Sequence, residues 1–370
     1  LPIDGPAFGA ELKSVNDWQI EFNASGAARK LPATDLVAWG AFREPGSGSQ
    51  IFLASGGLLV ADVITLDKDT LQCEGDALGA VRLPLEAVAG ILWHPPLERA
   101  RRDQLTSQIR SASGEADRVL LDNGDELTGA IAGLKSDSLK LDMAAGPASA
   151  EVNHITAVIF NPSLAARPQP RGLRAMLGFA DGSRLLATQF SLKNGDIELE
   201  LAGVGPARSA GERIVALQPL GGKAVYLSDL KPAAYKHIPY LQLNWPLAVD
   251  ASVNGGPLRY GGKLYLKGLG MHSAARVTYD LDGSYRFLRS ELAIDDSAGP
   301  GGSVDFRVFV DTGDGRWQAR YASPAQRGGQ PSTPMSVDLV GAKRISLLVE
   351  FADRGDQHDD ADWLNARLIK

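Results

Sequence analysis

Cysteine is almost missing from this chain: Cys73 is the only one in 370 residues. No disulfide can close within it and no thiolate metal cluster can form. No apolar run reaches the roughly 18 residues that a membrane-spanning helix needs. Excess positive charge is lacking too. Lys and Arg number 38 against 44 Asp and Glu, a formal net charge of -6, which argues against nucleic acid as partner because phosphate binding takes concentrated basic charge. The short basic clusters around Arg99–Arg102 and Arg167–Arg174 fall in connector-like segments and read as solvated faces.

Catalytic signatures are equally sparse. Neither H-E-x-x-H nor G-x-S-x-G occurs. The stretch Gly256–Lys263 fails as a phosphate loop, since Gly262 stands where lysine is needed and Leu264 where Ser or Thr is needed. Gly268-Leu-Gly270 is followed by Ser273 in place of the third glycine of a dinucleotide fingerprint. Cys73 lies inside a strand pattern and reads as buried. Glycoside hydrolysis needs two carboxyl groups about 5–10 Å apart. The room for a catalytic domain is taken up by small repeats, so a non-enzymatic protein is expected. The opening Leu1-Pro2-Ile3, with no methionine, fits an exported protein whose signal peptide has been removed.

What is present is a repeat. L-A-S-G-G-L-L (Leu53–Leu59), L-D-N-G-D-E-L (Leu121–Leu127) and F-A-D-G-S-R-L (Phe179–Leu185) align without gaps. Gly56, Gly124 and Gly182 stand at one register position, with Leu59, Leu127 and Leu185 three residues on. Asn123-Gly124 and Asp181-Gly182 between alternating apolar residues predict hairpins with two-residue turns. Closing strands are expected at Val81–Trp93, Val152–Phe160 and Arg213–Leu217, and a degenerate copy at Phe8–Trp39. A unit of about 45 residues with four or five short strands suits small β-barrels or stacked sandwiches. The expected organisation is a degenerate copy at 1–45, a full repeat at 46–96, a charged helical connector at 97–118, repeats at 119–161 and 173–222, and a Pro/Arg linker at 162–172. Leu105 and Ile109 place one helix in Leu97–Arg110.

Beyond about residue 223 the pattern changes to longer period-two strands, at Lys263–Lys267, Ala275–Tyr279, Val304–Val308 and Ile345–Val349, separated by Gly, Asp and Pro loops. This predicts an all-β sandwich. The segment carries Y-L-S-D-L (Tyr226–Leu230), W-P-L-A-V-D (Trp245–Asp250), S-V-N-G-G-P-L (Ser252–Leu258), K-G-L-G-M-H-S (Lys267–Ser273), A-I-D-D (Ala293–Asp296) and D-A-D-W (Asp360–Trp363). In that order these motifs resemble the NPCBM family, the novel putative carbohydrate-binding modules appended to bacterial glycosidases and other exported proteins. The resemblance covers about residues 224–370. It implies a galactose-binding-like jelly roll that holds its ligand at loops on one edge.

A pyranose has apolar C–H faces and a polar rim, so its site combines an aromatic platform with fixed donors and acceptors. Within the motifs, Trp245, His272, Asp295, Asp296, Trp317 and Trp363 can supply these parts. The residues alone leave alternatives open. Trp363 also fits a core position at a strand start, Trp245-Pro246 a strand entrance, and His272 a structural hydrogen-bonding role. Asp356, Asp360 and Asp362, in a stretch that also holds Asp353 and Asp359, form the expected ligand set for a structural Ca²⁺, which takes six to eight oxygens. Family members often carry histidine where Asp360 stands, with His358 here two residues earlier. The function expected is binding of a polysaccharide or glycoconjugate by an exported, cell-surface or periplasmic protein, with the repeats as spacer or assembly platform. Two alternatives stand beside it: a self-assembling subunit of a surface filament or sheath, and an accessory subunit of a glycoside hydrolase.

Overall fold

In the computed structural model, which describes every residue except Ser136 and Arg354, the repeat glycines sit at hairpin tips. Gly56, Gly124 and Gly182 have φ of 90°, 90° and 89°, a region glycine enters without strain. Leu121 N donates to Asp125 O at 2.9 Å, and Gly124 N donates to Leu121 O at 3.1 Å. The loop is therefore three residues, Asp122 to Gly124, ending in the left-handed glycine, and not the two-residue turn expected from Asn-Gly. Gly182 is fixed a second way, since a Cβ there would lie 2.4 Å from Glu44 O.

The closing strands also differ from expectation. Each is preceded by a short 3₁₀ turn: Leu85–Ala87 before Val88–Leu92, Val152–His154 before Ile155–Ile159, and Gly211–Arg213 before Ile214–Leu220. The first N–H of each turn is taken by a carbonyl from an upstream hairpin: Leu85 by Asp69, Val152 by Asp137, Gly211 by Gly195. The degenerate copy has the same device, with Ala33 N bonded to Trp18 O at 2.8 Å. It also starts before Phe8. Gly5 has φ of 89°, and Ile3 N donates to Asp35 O, so the first residues stand in for the leading strand.

Four copies thus share one plan, and they pair in a nested order. The closing strands of the second and third copies pair antiparallel, Ile91 opposite Val158, and their second strands meet at Leu66 and Leu134. The closing strands of the first and fourth copies pair likewise, Leu217 opposite Trp39, and their second strands meet at Val15 and Leu192. Val15, Leu66, Leu134 and Leu192 hold one register position, ten residues beyond Gly5, Gly56, Gly124 and Gly182. All four copies feed one apolar core, from Val15 and Phe22 through Ile51 and Val119 to Leu177 and Leu217. This unit is Leu1–Gly222. Helix Arg99–Arg110 lies in it, with Leu105 and Ile109 packed among Phe52, Leu58, Leu92 and Ile159. Burial pushes the Cys73 thiol up to about 12, so it is an inert core group.

The second unit, Lys223–Lys370, is a two-sheet sandwich. One sheet runs Ala248–Val249, Gly268–His272, Asp360–Ile369, Phe287–Ile294, Thr333–Asp338, with Ala224–Tyr226 also on Asp360–Ile369. The other runs Ala234–His237, Ala275–Asp280, Arg344–Phe351, Ser303–Asp311, Gln318–Ala322. Alternation along Asp360–Ile369 sets the layers. Ala361 and Trp363 face the inter-sheet core with Phe306 and Val349. Leu364 faces outward to Leu258 and Ala293, with Tyr260 and Tyr265 beside them. The hairpin Leu258–Tyr260/Lys263–Tyr265 supplies Leu258, Tyr260 and Tyr265 to this outer cluster.

Candidate functional site

At one end of the sandwich the backbone brings three loops and a tryptophan together. His272 ends its strand opposite Asp360 in the ladder. Trp245 stacks on the His272 ring, centroids 4.8 Å apart and planes within 12°. His237 meets His272 edge-on at 5.9 Å and accepts at Nδ1 from Trp245 N at 3.3 Å. Its Nε2 lies 3.0 Å from Ser273 O, and Tyr235 Oη donates to Trp245 O at 2.9 Å. The indole is therefore backed on one face by His272 and held through its own backbone, and the residue as a whole is partly exposed.

Polar groups continue from this stack. Asp360 accepts from Asn254 Nδ2 at 2.5 Å, and the same amide nitrogen lies 3.5 Å from Ser297 Oγ. His358, exposed and at φ 58°, stands against Gly301. Burial pushes the Asp360 carboxyl above the usual carboxylate range, opposed by the Asn254 hydrogen bond and by the His272 and His358 imidazoles. Asp359, beneath, accepts from Ser273 Oγ at 2.5 Å and Ser303 N at 2.8 Å. Burial raises its carboxyl as well.

The residues singled out from sequence are divided by this arrangement. Trp245 and His272 are together, and Asp295 joins the same end through Asp295 N to Asp360 O at 2.8 Å. Asp295, however, is 1% exposed and both its oxygens are engaged, by Ser297 N and Oγ and by Arg259 N. Asp296 accepts from Gly261 N and Gly262 N at 3.0 and 2.9 Å. The A-I-D-D pair is thus a clasp for the covering hairpin. Trp363 is a core residue, fully buried and edge-on to Phe306 at 5.0 Å. Trp317 lies at the opposite end: Arg344 sits 5.1 Å over its ring and pairs with Asp311, at the start of the strand whose far end adjoins Ala275.

The three-aspartate cation set does not assemble either. Asp356 acts on Asp359, whereas Asp362 is pushed well up by burial and by the charges of Asp295 and Asp360. Among the described residues no three His, Cys, Asp or Glu side chains converge to hold a metal. Sequence reasoning missed Asn254, Ser297 and His237. Asn254 was legible as the turn residue of S-V-N-G-G-P-L, but nothing in the spacing linked it to Asp360.

This sandwich with loops gathered at one end defines the class: residues 223–369 match the NPCBM/NEW2 domain family, less than half of the chain. Among curated proteins, the chain is 33% identical over 120 residues to "Putative endo-alpha-N-acetylgalactosaminidase" of Renibacterium salmoninarum, covering 32% of this chain and 8% of that protein. It is 30% identical over 169 residues to "Alpha-1,3-galactosidase B" of Akkermansia muciniphila, covering 45% of this chain and 20% of that one. The chain thus spans a small part of either relative. Among solved structures it is similar to a CBM51 from Clostridium perfringens GH95 in complex with methyl-galactose, at 21% identity and TM-score 0.34, covering 39% of this chain and 99% of that one. CBM51-2 of Clostridium perfringens ZmpB, solved with GlcNAc and INT domains, is 22% identical at TM-score 0.35, covering 50% of this chain and 40% of that one.

Proposed function

We propose that the second unit binds a galacto-configured sugar at the Trp245 end, and that the protein is a non-catalytic glycan-binding component of an exported system. The observation that carries this reading is the Trp245–His272 stack, continuous through Asp360 with Asn254 and Ser297. An indole held flat by a parallel imidazole presents one apolar face to the C–H side of a pyranose. The Asn254 amide, the Ser297 hydroxyl and the His358 ring stand where hydroxyls at the sugar's rim need partners. The galacto configuration rests on the names of the two curated relatives, both glycosidases of galacto-sugars. In such a system this module would hold a hydrolase on its glycan.

The test is calorimetric titration of the intact chain with galactose, N-acetylgalactosamine and N-acetylglucosamine, together with Trp245→Ala, Asn254→Ala and Trp317→Ala. Saturable binding, tightest for a galacto-sugar, is expected. It should weaken at least about tenfold in W245A, the loss of about 1.4 kcal/mol, and stay unchanged in W317A. Absence of saturable binding to all three sugars, or equal binding by W245A, overturns the reading.

A further inference from the structure

The polar rim beside the Trp245–His272 stack has a fixed direction of hydrogen bonding, set by where its protons go. Asp295 is 1% exposed and accepts at both oxygens. Oδ2 takes Arg259 N at 2.9 Å, and Oδ1 takes Ser297 N at 2.8 Å and Ser297 Oγ at 2.5 Å. A hydroxyl has one proton, so Ser297 has already given its own to Asp295 and can only accept from anything else. Asp360, 5% exposed, is likewise acceptor-only as a carboxylate. Asn254 stands between the two, its Nδ2 at 2.5 Å from Asp360 Oδ2 and 3.5 Å from Ser297 Oγ. Both neighbours require a donor. The two ends of an amide are alike in shape, so it is this requirement that turns the NH₂ group of Asn254 toward them.

The turn that carries Asn254 is itself held in place. Ser252 N donates to Gly256 O and Gly255 N to Ser252 O, both at 2.8 Å, with Gly255 at φ 86°. It lies against Gly270, in the strand that ends at His272. A Cβ on Gly270 would come within 2.5 Å of Ala251 O and 2.7 Å of Val253 N. With both amide hydrogens engaged, Asn254 has its carbonyl oxygen left to offer, on an exposed residue. Asn254 Oδ1 and the remaining lone pair of Ser297 are both acceptors. Neither has a proton to give.

We propose that Asp360 is a positioning residue: with Ser297 it locks Asn254 as an acceptor, so that this end of the sandwich engages sugar hydroxyls as hydrogen-bond donors. This rests on sugar binding at the Trp245 end and adds the polarity with which the ligand is recognised. The ligand class narrows to sugars whose contacting hydroxyl is unsubstituted, because an ether at that position has no proton to donate. A fluorine in place of the hydroxyl keeps the size and the electronegative atom but also lacks the proton. Fluorinated sugars therefore separate a rim that accepts from one that donates.

The experiment is calorimetric titration of the full chain at neutral pH with methyl galactoside and its analogues, singly deoxygenated or singly fluorinated at each hydroxyl in turn. At one hydroxyl or more, deoxygenation should weaken binding at least about tenfold, and fluorine should not restore it. Asp360→Asn lets two facing amides pair either way round, and Ser297→Ala leaves one N–H of Asn254 unclaimed. In both variants the fluorinated analogue should then bind at least about threefold tighter than the deoxygenated one, against a ratio near one in the parent. That ratio compares two ligands on one protein, so a general loosening of the fold does not move it. The proposal is overturned if fluorine restores binding in the parent, if no single hydroxyl matters, or if the ratio stays near one in both variants. Failure to bind methyl galactoside at all overturns it together with the sugar-binding reading, whereas restoration by fluorine overturns it alone.

Discussion

Asp362 is wholly buried, and no N–H or O–H group of the described residues donates to either carboxyl oxygen. Burial is the main force pushing its pKa well up, with the Asp295 carboxylate next. A carboxyl that binds its proton more tightly in the native than in the unfolded chain favours the fold at low pH. That advantage is fully present below the ordinary carboxylate range and is lost as pH rises through the native pKa. Asp359 and Asp360, also raised, act in the same direction. Asp362→Asn should therefore stabilise the second unit at pH 7, because the amide carries no charge to desolvate or to set against Asp295 and Asp360, by at least about 1.4 kcal/mol, the linkage worth of a single pKa unit. It should have little effect near pH 4, and melting curves across that range check both. At this scale the sequence was half legible. Trp245 and His272 were both legible as motif residues, but not that their rings stack. The dual nature of D-A-D-W, with Trp363 inward and Asp362 outward, required knowing which face of the strand met the core.

Lys267 shows how three motifs become one clamp. Its Nζ lies 2.6 Å from Asp229 and 2.8 Å from Asp250, and Asp250 also accepts from Gly268 N at 3.1 Å. Y-L-S-D-L, W-P-L-A-V-D and K-G-L-G are thereby tied at the start of one central strand. With the lysine side chain only 14% exposed, Lys267→Met leaves two carboxylates facing each other and should cost about 2 kcal/mol, less than a fully buried pair because both aspartates reach solvent. Denaturant titration measures it. In the repeat unit, the strands before each 3₁₀ turn, Ala27–Pro32, Gly79–Pro84, Gly146–Glu151 and Gly205–Ala210, each have one ladder neighbour among the described residues. Pro147 and Pro206 sit on two of these edges, and Arg29, Lys30 and Arg82 on the others. Proline cannot donate to an incoming strand, and charge repels one. Assembly by edge pairing is thus opposed by the sequence itself. Replacing Pro147 and Pro206 together by valine should raise light scattering on gentle heating, while the parent stays clear. Strand positions were legible because alternation reports one buried face. The 3₁₀ turns were not, since their cause is a single carbonyl from a distant hairpin.

At the scale of the molecule, each unit closes its own apolar core. Residues 223–370 expressed alone should melt cooperatively and bind sugar as the intact chain does, which calorimetry would verify. The existence of repeats was legible in the fixed offset from glycine to leucine. Their partners were not, because Leu66 and Leu134 carry the same local pattern as Val15 and Leu192, and nothing local says which meets which. No described helix is long and apolar enough to cross a membrane. The nested order has a consequence for how the protein is made. The inner couple can close as soon as residue 159 has left the ribosome, but the opening copy must wait for strand Ile214–Leu220 to emerge. At translation rates of about 5–20 residues per second, that delay is on the order of ten seconds or more. Throughout it Val15, Ile20 and Phe22 lack their native cover, so nascent chains stalled short of the fourth copy are where chaperone demand should concentrate.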